Sequence, residues 1–139
     1  MAESRERVLI VVTPTVSDDE LATEVSGAQL GSADVRLVVP AVTKSALSFW
    51  FSDDRAMKSA RSTAAQFRER IEGSAGHVVA AAGDCDPALA VEDAIASFHP
   101  DRIIVVHRDD HPGYRENRLD AESLERRLRR PVEEHLISA

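Results

Sequence analysis

Cysteine is nearly absent. Cys85 stands alone, so no intramolecular disulfide can form, which suits a reducing compartment. Aromatic residues are scarce, at 4%, so the expected core is aliphatic and alanine-rich. Positive charge is in deficit: 17 Lys and Arg face 24 acids, a net charge of −7. Phosphate backbones and anionic bilayers attract basic surfaces, so neither nucleic acid nor membrane is an expected partner. Long hydrophobic runs are also missing. The first apolar run, Val8 to Val12, is too short for a signal core or a membrane span, and the expected location is cytoplasmic. With no repeat and no low-complexity segment, residues 1–139 are expected to form a single domain.

What is present is an alternation of two periodicities. Val8 to Val12 and Ile103 to Val106 are continuous and mostly β-branched, the pattern of strands buried on both faces. Val35 to Val39, closed by Pro40, and His77 to Ala82 are further strands. Between them lie helical signals. Ser17 and Glu20 form a capping box. Met57, Ala60, Ala64, Phe67 and Ile71 make an amphipathic stripe after Asp53-Asp54. Asp86-Pro87 opens a helix carrying Val91, Ala94, Ile95 and Phe98, and Asp120 opens one carrying Leu124 and Leu128. Val132 to Ile137 is a last strand. Glu133, Glu134 and His135 within it place it at a sheet edge. Strands alternating with helices imply a mainly parallel sheet in an open three-layer α/β/α sandwich, Rossmann-like in connectivity.

The stretch IIVVHRDDHPGYRENRLD, Ile103 to Asp120, draws attention as a site. His107, Asp109, Asp110 and His111 offer nitrogen and oxygen donors for a divalent ion, but spacing within a loop fixes no geometry. His107-Arg108-Asp109 resembles a kinase catalytic loop only superficially, since Tyr114 stands where that pattern needs Asn. No nucleophile with an activating context is evident, so no catalytic residue is assigned and no metal is expected. Cys85 precedes a helix start, which favours a thiolate, but a small turn residue explains it as well. Phe49-Trp50-Phe51 holds half of the six aromatics in one linker, as sheet-edge packing or as a partner contact.

Gly83-Asp84-Cys85-Asp86-Pro87-Ala88-Leu89-Ala90-Val91, followed by Asp101-Arg102-Ile103-Ile104-Val105-Val106, resembles the universal stress protein family. The spacing from Pro87 to Asp101 matches that family's pattern, and Cys85-Asp86 is a two-residue insertion in the turn. The resemblance implies a five-stranded sheet of order 3-2-1-4-5 and homodimers through the last strand. It also implies ATP at the carboxyl ends of the first and fourth strands, where strand order reverses. The ATP-binding members carry a Gly-x2-Gly-x9-Gly-Ser/Thr loop whose backbone amides close around phosphate. Here His107 and Asp110 occupy the first two glycine positions, and the Gly-Ser pair falls near Asp120-Ala121. Thr13 stands where the family commonly has Asp.

The expected protein is therefore a divergent member without the ATP motif and without a cofactor. It would be a non-enzymatic stress or regulatory module acting through homodimer or other protein contacts, with Phe49, Trp50, Phe51, Val132 and Leu136 as candidate interface residues. The alternative is a nucleotide or small-ligand protein with a rebuilt crevice lined by Thr13, Pro40, His107, Arg108 and His111. A metal-dependent hydrolase using the same loop is the third reading.

Overall fold

Nine elements alternate along the computed structural model, which describes residues 6–12, 16–28, 30–41, 53–73, 76–83, 87–108 and 121–137. They are β1 (Arg7–Val12), α1 (Asp18–Gly27), β2 (Asp34–Pro40), α2 (Asp53–Ile71), β3 (His77–Gly83), α3 (Pro87–Phe98), β4 (Arg102–Arg108), α4 (Ala121–Leu128) and β5 (Glu133–Ile137). The strands form one sheet of order β3-β2-β1-β4-β5, and every pairing is parallel. Helices cover both faces, giving the three-layer α/β sandwich expected from the alternation of periods.

The two unbroken apolar runs explain the layering. Val8, Ile10 and Val12 of β1 join Ile104 and Val106 of β4 in a core shared with α1 and α2. Leu9 and Val11 join Ile103 and Val105 in a second core under α3 and α4. Each of these side chains is at most 2% exposed. Fully burying one contributes about 1.5–3 kcal/mol, so a sheet with either face open would forfeit much of its stability.

Local signals fix the helices. Ser17 Oγ accepts from the Glu20 amide at 3.1 Å, and Glu20 Oε1 accepts from the Ser17 amide at 2.9 Å, completing the capping box. Ala60, Ala64, Phe67 and Ile71 of α2 are buried, with Met57 half-buried beside them. α3 and α4 end just ahead of Pro100 and Pro131, residues that cannot continue a helix. His99 (φ 53°) and Arg129 (φ 57°) adopt the left-handed conformation that usually falls to glycine. Each amide closes back onto the preceding turn, His99 to Ile95 O at 3.1 Å and Arg129 to Glu125 O at 2.8 Å.

Three strand boundaries differ from the sequence reading. β2 runs through Pro40, which pairs in register with Gly83 at the strand's last position, where proline is tolerated. β4 continues through His107 and Arg108, because Leu136 and Ile137 of β5 pair with them. β5 begins at Glu133, so Val132 lies just before the strand. Val132 is 6% exposed and packs in the second core with Leu124, which leaves little of it for a partner.

Gly83 sets how closely α3 approaches the sheet. A Cβ there would lie 2.8 Å from both Ala90 Cβ and Val38 Cγ1. Strand propensity alone says that Gly83→Ala stabilises. The packing predicts the reverse: a loss of about 1–3 kcal/mol, because helix and strand must separate. A thermal melt of the variant checks this, and an unchanged or raised Tm would contradict it.

Candidate functional site at the carboxyl end of β4

Strand order reverses between β1 and β4, so the crevice outside their carboxyl ends is where an open α/β sheet binds ligands. Val12 pairs with Val106, which puts His107 one residue beyond the end of that pairing. Pro40 is the buried last residue of β2, on the other side of β1. Pro40 and His107 thus flank the end of β1, two strand spacings or about 10 Å apart across the sheet. Of Arg108 the backbone alone is described. Thr13, His111 and the acids Asp109, Asp110 and Asp120 lie outside the described residues, as do Phe49, Trp50, Phe51 and Cys85. Leu136 is described by its backbone, paired with His107. Among the described residues no group of three or more His, Cys, Asp or Glu is placed to hold a metal ion.

His107 follows Ile103 and Val105 on the same face of β4 and is 1% exposed. Its Nε2 lies 2.9 Å from Glu134 Oε2 on β5. A buried polar ring needs such a partner, because leaving one unpaired costs about 1–3 kcal/mol. A carboxylate-held histidine can orient for proton transfer. At 1% exposure, however, the arrangement suits a strut between β4 and β5 better than a proton shuttle.

The neighbouring polar residues of β5 are held in the same way. Glu133 receives a bidentate pair from Arg102 of β4, Nε to Oε1 and Nη2 to Oε2, both at 2.9 Å. Arg102 Nη1 also donates to Glu6 Oε1 at 3.1 Å. His135 Nδ1 lies 2.5 Å from Glu24 Oε2 of α1. Below the sheet, Arg127 of α4 pairs with Glu92 of α3. Glu133, Glu134 and His135 are the residues that looked unsuited to a strand. Each instead ties the edge strand to a different partner: Arg102, His107 and Glu24.

Sequence reasoning singled out His107 and missed Glu134, Arg102 and Glu24. The signal it had was the Glu-Glu-His triplet itself. Three charged or polar residues in a terminal strand imply partners, but the partners lie 27 to 111 residues away and no spacing rule reaches them.

No protein-family model matches the chain, and no curated protein matches it. The class that the geometry itself defines is an open, all-parallel α/β sandwich with its switch point at β1 and β4.

The hydrogen bonds from Arg102 hold the Glu133 carboxyl below the ordinary carboxylate range, against partial burial that pushes it up. Its contribution to stability is therefore complete above the unfolded glutamate value, roughly 4.3, and is lost as pH falls through the lower folded value. Glu133→Gln should lower stability at pH 7 while making the variant less sensitive than the parent to acidification below about pH 4.3. Parallel denaturation curves at pH 7 and pH 3 test this. Equal acid sensitivity in the two proteins would contradict it.

Proposed function

We propose that this chain is a non-enzymatic stress or regulatory module of the universal stress protein type, acting through homodimer or other protein contacts rather than through ATP. One observation carries the reading. Where the family's phosphate loop has its first glycine, this chain has His107, a full side chain only 1% exposed and held by the Glu134 carboxylate at 2.9 Å. Phosphate recognition there relies on close backbone approach and on positive potential. A buried ring blocks the first, and a carboxylate opposes the second. The strand order 3-2-1-4-5 agrees with what the resemblance implies.

The dimer part of the proposal rests on the edge. β5 is terminal in the sheet, so the outer side of its backbone has no strand beside it among the described residues. Exposed edges of this kind pair readily with a second copy. The Phe49–Phe51 segment would add a second apolar contact. None of the described helices is long and apolar enough to cross a membrane, and the acidic net charge supports a partner that is neither bilayer nor nucleic acid.

Two measurements test this. Thermal-shift titration with ATP, AMP, NAD and cyclic nucleotides should leave Tm unchanged, because a ligand that binds only the folded state must raise it. A rise of several degrees that His107→Ala abolishes would instead support the rebuilt-crevice reading. Sedimentation at tens of micromolar should give twice the mass of the chain, and a monomer there would remove the dimer.

A further inference from the structure

Among the described residues Arg36 is a cation without a carboxylate partner. It sits on β2 between apolar neighbours, and its guanidinium carbon lies 5.0 Å from the centroid of the Phe98 ring on α3. Arg7 approaches the same ring at 6.0 Å, but it is engaged, donating from Nη1 to Phe98 O at 3.1 Å. Among the described residues Arg36 makes no hydrogen bond or ion pair, and its Nε is sealed from solvent with no acceptor. Elsewhere in the described residues Arg68, Arg70, Arg102, Arg126 and Arg127 each hold a carboxylate. The sealed Nε is out of a ligand's reach, but the two terminal nitrogens of the guanidinium are not sealed, and a planar carboxylate is the acceptor that fits them best.

Arg36 lines an open groove of about 400 Å³ between α3 and the β2–β3 strands. Val38, Ala81, Ala90 and Ala94 give that groove an apolar lining of small side chains. It follows α3 from Ala90 to Ser97, about 10 Å at the helical rise. Asp93 stands on the helix wall and makes no ion pair among the described residues, Arg36 included. Beyond the groove on the same face, Val79 is 41% exposed; it pairs in register with Arg36. The groove is separated from His107 by β1 and part of β2, so it is independent of the switch-point crevice.

We infer that this groove binds a small monocarboxylate with a short apolar body, its carboxylate on Arg36 and its chain along Val38, Ala81, Ala90 and Ala94. Length and charge both set the class. About 10 Å of small apolar wall accommodates an extended chain of about eight carbons. Among the described residues one cation, Arg36, lines the groove and receives one carboxylate; Asp93 on the helix wall opposes any anion near it, which confines the carboxylate to the Arg36 end and disfavours a dianion most.

The test uses the full chain, titrated with octanoate and followed by amide chemical shifts, with octanol and octylamine as controls. Octanoate should give saturable shifts centred on Val38, Ala81, Ala90 and Ala94, and the controls should bind at least about tenfold more weakly. Arg36→Gln should weaken octanoate by about tenfold or more, with Arg36→Lys, which keeps the charge but loses the fork, in between. Ala81→Leu, which adds bulk at an exposed position of the groove, should abolish binding without unfolding the chain. Absence of saturable shifts, octanol binding as tightly as octanoate, or undiminished affinity in folded Arg36→Lys and Ala81→Leu proteins would each overturn the assignment. So would shifts centred on β5 and His107.

Discussion

β1 and β4 are apolar on both faces, and most of the architecture follows from hiding them. Strands of this kind must be central and must be covered on each side. The chain meets that demand by crossing over twice in each direction. β2 and β3 are laid on one side of β1, and β4 and β5 on the other. The two cores, one under α1 and α2 and one under α3 and α4, result from that single constraint. The switch point, and with it the crevice at the ends of β1 and β4, is its geometric by-product.

The edge strand obeys a different physics. β5 has too few apolar residues to dock by burial alone, and it is fastened by polar pairs: Arg102 with Glu133, His107 with Glu134, Glu24 with His135. Exposed pairs such as Arg102–Glu133 are individually modest. The His107 pair differs because its ring is buried, so removing Glu134 would take a hydrogen-bond partner from a polar group inside the protein. The carboxyl end of β4 thus holds the sheet edge in place. That explains why a histidine is compatible with the buried carboxyl end of a central strand.

Much of the fold was legible from periodicity. The β-branched runs, the Ser17 capping box and the Met57-to-Ile71 stripe each rest on residues within a few positions of one another, which is the range over which sequence patterns carry geometry. The helix ends at Phe98 and Leu128 fall just ahead of Pro100 and Pro131, but the left-handed backbone of the exposed His99 and Arg129 had no glycine to announce it. The site was half legible. His107 was marked by standing after a strand, but its partner Glu134 is 27 residues on, and only the pairing of β4 with β5 brings them together. Arg36 gave no signal, since an arginine within a strand reads as a solvent-facing residue until the helix above it is placed.

The central claim is that His107 and Glu134 form one structural unit at the carboxyl end of β4. A double-mutant cycle in thermal or denaturant unfolding measures it directly, with His107→Ala, Glu134→Ala and the pair. The account predicts a coupling of about 1–3 kcal/mol, as expected for a buried hydrogen bond to a charged group. Additivity of the two substitutions to within about 0.5 kcal/mol would contradict it.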